Sequence, residues 1–345
     1  MHFNAGEHVY KQVAESLRRD ILAGRMDEKI PGERELSRRY SVNFKTANKA
    51  VGLLVEQGLL ARVRGKGTFV SRGGVGRKKI NLIGLLVPKL DNPYFARCVQ
   101  AIEQLAARES ISVAIHTQDS AANVKGFLRA LAARGAQGLI AYGDLRAMKA
   151  ARLPFAVVGL GGKPSPGFDF VTTDVRAGAK LVVEHLVKRF GKSVAFIGVT
   201  RDASVDERLQ GYCETLIANG MKMNDGWVLT ASDNYRGGYE ATRKLLSRPR
   251  RPRAIFYFND YMAVGAERAI AELGLRIPRD VAVAGFDDSV APEEMIVPTT
   301  SILYSFEKTA CALLALIKRR IAQPQAEIRL ISIAPRLMVR ASTGK

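Results

Sequence analysis

The chain has little cysteine, tryptophan or histidine: 345 residues carry 3 Cys, 1 Trp and 4 His. Cys98, Cys213 and Cys311 are odd in number and far apart. They do not make a disulfide frame or a zinc site, and they fit reduced thiols in a cytoplasmic protein. His2, His8, His116 and His185 are scattered, without an HExxH pair. No metal and no cofactor is therefore expected. No apolar run reaches membrane-spanning length unbroken by charge or glycine, so no membrane partner is expected. Met1-His2-Phe3-Asn4 lacks the basic and apolar regions of a signal peptide. A GxSxG nucleophile turn is also missing. Gly159-Leu160-Gly161-Gly162-Lys163-Pro164-Ser165 fails the phosphate-loop spacing, and Pro164 and Pro166 oppose a helix there. The expectation is a protein that is not an enzyme.

Acidic residues are scarce too. Against 53 Lys and Arg stand 33 Asp and Glu, for a net charge of +20. Such a balance draws polyanions, nucleic acid foremost, although charge alone carries no sequence specificity.

Apolar periodicity divides the chain into three stretches. Residues 1–71 read as helices followed by a hairpin. Residues 72–79, Arg-Gly-Gly-Val-Gly-Arg-Lys-Lys, have no apolar period and read as a linker. From residue 80 to 345, strand-like runs alternate with amphipathic helices. The runs include Asn81–Val87, Gly138–Tyr142, Phe155–Gly159, Val194–Val199, Ala254–Phe258 and Val281–Phe286. Continuous apolar runs between helices indicate parallel strands buried on both faces, a doubly wound α/β pattern.

In the first stretch Val13, Leu17 and Ile21 mark one face of a helix over Val9–Ala23. A short helix over Glu33–Tyr40 follows, then a third from about Asn43 that Gly58 stops. Ala47, Ala50, Val51, Leu54 and Val55 give the third helix an apolar face. Lys45, Asn48 and Lys49 share another face, with Thr46 beside them. Asn can bond adenine through both its amide atoms, and Lys can reach guanine or phosphate. Arg62-Val63-Arg64 and Thr68-Phe69-Val70 pair around Gly65-Lys66-Gly67, a hairpin with a cationic tip. Double-stranded DNA is the expected partner.

Pro31-Gly32-Glu33-Arg34-Glu35-Leu36, Glu56-Gln57-Gly58-Leu59-Leu60 and Gly65-Lys66-Gly67-Thr68-Phe69-Val70 resemble the winged helix-turn-helix of the GntR family over about residues 7–71. The resemblance implies DNA contacts from Arg34, from the start of the third helix (Phe44 onward) and from the wing tip, Arg64 and Lys66. Family members commonly carry Arg at the positions of Phe44 and Asn48, and this chain does not.

In an open parallel sheet, ligands sit outside the carboxyl ends of the strands. The first run there leads to Asn92, a good helix cap, Pro93, a good first helical residue, and then Tyr94 and Phe95. Later strand ends carry Thr200-Arg201, Asn259-Asp260 and Asp287-Asp288, with Arg208 shortly after the first. Asn, Asp and Arg converging in this way suit the hydroxyls of a polyol. Asp260 and Asp288 read as helix caps. Arg248-Pro249-Arg250-Arg251-Pro252-Arg253 reads as a solvated basic loop, the alternative being contact with an acidic partner or DNA.

Ile83-Gly84-Leu85-Leu86-Val87-Pro88, Glu207-Arg208-Leu209-Gln210-Gly211-Tyr212, Phe258-Asn259-Asp260-Tyr261-Met262-Ala263 and Val283-Ala284-Gly285-Phe286-Asp287-Asp288 resemble the LacI/GalR repressors and their periplasmic sugar-binding relatives over about residues 80–341. The resemblance implies a two-lobed effector-binding and dimerisation domain with parallel sheets. It implies effector contacts at Tyr94, Phe95, Arg208, Asn259, Asp287, Tyr304 and Phe306, with Tyr142 and Ser204 at weaker positions. Asp233 stands where an aromatic is common, and Gly159-Leu160-Gly161-Gly162 leaves one wall bare. The combined expectation is a cytoplasmic, homodimeric repressor that binds an operator and answers to a small polar effector, a sugar. The alternative is a sugar kinase or hydrolase with an accessory DNA-binding domain.

Overall fold

A computed structural model describes residues 8–22, 25–26, 28–56, 59–63, 65–70, 80–118, 120–150, 153–204 and 206–344. The expected helix end at Ala23, the stop at Gly58, the wing residue Arg64 and the linker 72–79 lie outside the described residues. The chain divides into two compact units, Met1–Ile80 with Ala322–Pro324, and Asn81–Ile321 with Gln325–Lys345.

The first unit holds α1 (Val9–Leu22), α2 (Glu33–Arg39), α3 (Phe44–Glu56) and an antiparallel hairpin of β1 (Leu60–Val63) and β2 (Gly67–Val70). Val13 and Leu17 of α1, Leu36 of α2, and Ala47, Ala50, Val51 and Leu54 of α3 are buried together with Leu59 and Leu60. Val55 packs against this cluster half-buried. Each fully buried Leu or Val contributes about 1.5–3 kcal/mol, so this small core rests on few side chains. Leu54→Ala would remove about 2–5 kcal/mol of its stability. α2 starts after Pro31 with Glu33 and Glu35 in its first turn and ends with Arg38 and Arg39, charges that suit its dipole. The turn to α3 passes through Ser41 at φ 53°, and Asn43 Oδ1 accepts the Thr46 amide at 2.8 Å. Tyr40 donates to Asp20 at 3.0 Å and ties that turn to α1.

The second unit runs β3 (Leu82–Val87), α4 (Pro93–Arg108), β4 (Ser112–Thr117), α5 (Ala121–Ala133), β5 (Gly138–Tyr142), α6 (Arg146–Ala150), β6 (Ala156–Leu160) and β7 (Asp169–Thr173). It continues with α7 (Val175–Phe190), β8 (Val194–Gly198), α8 (Glu207–Ala218), β9 (Val228–Thr230), α9 (Tyr235–Leu246), β10 (Ala254–Tyr257), α10 (Asp260–Glu272) and β11 (Ala282–Ala284). β12 (Ser301–Leu303), α11 (Phe306–Ala322), β13 (Leu330–Ile333) and β14 (Arg336–Met338) complete it. One sheet has the order β13-β7-β6-β5-β3-β4 and the other β11-β10-β8-β9, with every pairing in both parallel. β12 and β14 form a small antiparallel pair. The unit therefore has two lobes, one around each parallel sheet, and the chain passes between them after β7, after β12 and after β13. Strands such as β5 and β8 read as unbroken apolar runs because helices cover both sheet faces.

Candidate functional site

The outer surface of α3 is open. Phe44 is 49% exposed, Lys45, Asn48 and Lys49 are exposed, and Thr46 is half-buried beside them. The inward side chains of the same helix fill the core, so its 3.6-residue period separates a packing face from a polar face. Arg34 on α2 and Lys66 at the wing tip are exposed as well. Gly65 and Gly67 take φ of 76° and 114°, the left-handed backbone that lets the tip turn. Two of the polar groups are engaged. Lys49 Nζ lies 4.3 Å from the centre of the Tyr10 ring. Asn48 Oδ1 accepts from Arg62 Nη2, a partner on β1 that the helical spacing does not reveal.

The second unit contains a cavity of about 590 Å³ lined from both lobes. Its wall collects residues at the carboxyl ends of the strands. Asn92, Tyr94 and Phe95 follow β3, Tyr142 ends β5, Gly161 and Gly162 follow β6, and Thr173 ends β7. From the other lobe come Thr200, Asp206 and Arg208 after β8, Phe258 and Asn259 after β10, and Asp287 after β11. Local sequence places several of them. Asn92 caps α4 by accepting the Tyr94 amide at 3.0 Å, with Pro93 as the first helical residue. Asp206 caps α8 by accepting the Arg208 amide at 2.8 Å, which puts Arg208 in the first turn.

Arg208 is the centre of this wall. Its guanidinium lies between the Phe258 and Phe286 rings, 4.2 and 4.3 Å from their centres. Nη2 donates to Asp287 Oδ1 at 3.1 Å, and the two side chains are only 16% and 8% exposed. Arg208 Nε and Asp206 Oδ2 are buried without a partner among the described residues, an orphan donor and an orphan acceptor on one wall. Burial works against the Arg208 charge, but Asp287 and Asp206 outweigh it and hold the group above its usual range. Burial pushes the Asp287 carboxyl up, while Arg208 pulls it back. Asp287 takes φ 89°, a conformation uncommon for a residue with a Cβ. Burial also pushes the Tyr142 phenol to about 12 and the Tyr94 phenol well above its ordinary value, so both are neutral hydroxyls at pH 7.

The aromatic side is continuous. Tyr94 and Phe95 meet edge-on at 5.2 Å, and Phe95 and Tyr142 at 5.0 Å. The bare glycine wall follows from these rings. A Cβ on Gly161 would come within 2.4 Å of the Tyr142 ring, and one on Gly159 within 2.0 Å of Phe170. Across the cleft, Lys89 from the loop after β3 reaches Asp233 before α9 at 2.8 Å. That ion pair joins the two lobes at the edge of the cavity, where Asp233 lines the wall.

Of the nine expected effector residues, Tyr94, Phe95, Tyr142, Arg208, Asn259 and Asp287 line this cavity. Ser204, Tyr304 and Phe306 do not. Ser204 is exposed and donates to Asp202 at 2.6 Å. Tyr304 is buried and donates to the Asp174 carbonyl at 2.8 Å. Phe306 packs 5.8 Å from the Tyr94 ring, behind the wall. The capping expectation for Asp260 and Asp288 is corrected. Asn259 is the cap of α10, its Oδ1 accepting the Met262 amide at 2.9 Å. Asp260 instead accepts from Ser301 Oγ at 2.6 Å and Ser289 N at 2.7 Å, so it ties down the loop that carries Asp287. Asp288 pairs with Arg340 at 2.6 Å. Asp206, Thr173 and Lys163 also line the cavity and went unread in the sequence. For Asp206 a signal existed, since a cap two residues before Arg208 fixes where that side chain starts.

Comparison with known proteins finds likenesses in both units. Residues 9–70 match the model for bacterial regulatory proteins of the gntR family, and residues 183–343 match a periplasmic binding protein-like domain. The class is a regulatory protein of composite build, a GntR-family domain followed by a periplasmic-binding-protein-like one. Its relatives are LacI-family regulators. The chain is 29% identical over 272 residues to the HTH-type transcriptional repressor PurR of Mannheimia succiniciproducens, covering 76% of this chain and 81% of that protein. It is 27% identical over 268 residues to the ribose operon repressor of Escherichia coli strain K12, covering 75% and 81%. A solved LacI-family transcriptional regulator from Sanguibacter keddieii is 29% identical, covers 77% of this chain and 99% of its own, and superposes with a TM-score of 0.67.

Proposed function

We propose that the chain is a repressor that binds an operator through residues 1–71 and releases or grips it according to a sugar held in the cleft of residues 80–345, the two parts being joined by the linker 72–79. The observation that carries this reading is the Arg208–Asp287 pair with Arg208 Nε left unpartnered on a cavity wall. Native proteins rarely leave a buried charged donor unmet, so a ligand acceptor is its natural partner. The facing aromatics Tyr94, Phe95 and Tyr142 would cover a ring face, while Arg208, Asn259 and Asp287 hold its hydroxyls. The name of the ribose operon repressor supports a sugar as the effector class. A ligand changes DNA affinity only through unequal affinity for two states, and the cleft supplies them by closing or opening between lobes.

DNA reading rests on Arg34, Phe44, Lys45, Thr46, Asn48, Lys49, Arg64 and Lys66. A near-palindromic operator needs two readers, hence a homodimer in the cytoplasm. Sedimentation of the chain at micromolar concentration should give a dimer, and a monomer would exclude this assembly. A thermal-shift panel of neutral sugars tests the effector, because a ligand raises stability by mass action. The enzyme alternative predicts turnover of the stabilising sugar, whereas a regulator returns it unchanged.

A further inference from the structure

The wing sends one side chain back over the outer face of α3. Arg62 on β1 places Nη2 against Asn48 Oδ1 and 3.3 Å from Glu33 Oε1 at the start of α2. Three elements of the first unit thus meet at one guanidinium, which stays 47% exposed. The arrangement changes what Asn48 can offer. A forked contact to adenine needs the amide oxygen as acceptor and the amide nitrogen as donor. With one lone pair of its oxygen engaged by Arg62, Asn48 is held toward the wing and its amide plane is set by that contact. Arg62 Nε and Nη1, by contrast, make no hydrogen bond among the described residues.

We propose that Arg62 is the base-reading side chain of this face, taking the O6 and N7 of a guanine, and that Asn48 is its positioning residue. This rests on the DNA-reading role proposed above. Arginine forks onto guanine because its planar donors match those two acceptors. The longer contact, to Glu33, is the one the guanine replaces, which leaves Nη1 and Nη2 for the base while Asn48 keeps the plane in place. Asn48 is not itself a forked adenine reader, and Lys45 contributes a point charge.

The test is selection of duplexes from a randomised pool by the full-length protein, repeated with Arg62→Ala, Arg62→Lys, Asn48→Ala and the Arg62→Ala/Asn48→Ala pair. Wild type should enrich a guanine at a fixed place in each half-site. Both Arg62 variants should lose discrimination there by about 5- to 150-fold, the worth of one forked base contact. Asn48→Ala should weaken discrimination at that same base, and the double variant should behave as Arg62→Ala alone. Melting temperatures should stay at the wild-type value, since the side chains are exposed. An Arg62→Ala protein that weakens on all sequences alike would make Arg62 a phosphate contact and overturn the proposal. So would an Asn48→Ala protein that loses an adenine at a different position. Failure of the wild type to enrich any sequence would overturn the DNA-reading proposal as well.

Discussion

On α3 the polar side chains face solvent and ask little of the fold, whereas in the cleft the polar side chains are buried and hold one another. Lys45 and Lys66 are exposed cations near no carboxylate partner among the described residues. Arg208 and Asp287 are nearly enclosed and mutually bonded, with the Arg208 guanidinium between two phenyl rings. The difference follows from the ligands proposed for each. DNA brings a dense charge that long, solvated side chains can reach. A small polar molecule has few groups, so a protein must desolvate and preorganise its own to gain affinity. Substitutions in the cleft should therefore disturb both stability and response, and substitutions of the exposed side chains on the outer face of α3 and at the wing tip should disturb binding alone.

Arg208→Ala sharpens this contrast most. It leaves Asp287 buried without its partner, and breaking a buried pair costs about 3–5 kcal/mol. The melting temperature should fall clearly and any effector response should vanish. A variant that melts like the wild type would place Arg208 outside the energetic centre of the cleft.

Next in size is a pH effect at Asp260, whose carboxyl burial pushes up to about 8. The folded state then holds a proton that the unfolded chain releases at the usual carboxylate pH. This contribution is full below the unfolded value of 3.8 and is lost as pH rises through about 8. Asp260→Asn should flatten the fall of melting temperature between those limits. An unchanged profile would show that Asp260 is ionised in the fold.

Lys66→Ala should leave stability within about 0.5 kcal/mol, as exposed substitutions do. It should weaken operator binding evenly across sequences and reduce the salt slope by about 1. A loss of stability as large as that of Arg208→Ala would erase the contrast between the two regions.

The smallest effect is expected at Lys89→Ala. The Lys89–Asp233 pair joins the lobes but is 35% exposed on each side. A pair so solvated is worth about 0.2–1 kcal/mol. The open state should gain by that amount, seen as a small rise in the radius of gyration by X-ray scattering that added salt reproduces in the wild type.

Much of the frame was legible because it is local. Gly138–Tyr142 is an apolar run with Gln137 before it and Gly143 after it, and β5 has those bounds. Asn92 and Pro93 carry their own capping chemistry, and α4 begins there. Elements in the polar loops blurred at their edges, as where the run Val281–Phe286 became the shorter β11. Partners distant in the chain stayed hidden. Asp260 finds Ser301 41 residues on, Asp288 finds Arg340 52 residues on, and Lys89 finds Asp233 144 residues on. Even Asn48 and Arg62, 14 residues apart, meet only because the wing folds back. Helical spacing gave Asn48 an open face but could not show that its oxygen was engaged.

Occupancy of the cleft should govern the affinity of the DNA reader. Titrating operator binding of the full-length wild type and Asp287→Ala with a sugar that raises the wild-type melting temperature decides this. Operator affinity should shift with the sugar in the wild type and not in Asp287→Ala, with sugar-free affinity alike in both. A sugar that stabilises the wild type yet leaves its operator affinity unchanged, or that shifts Asp287→Ala equally, would show that the cleft does not control the reader.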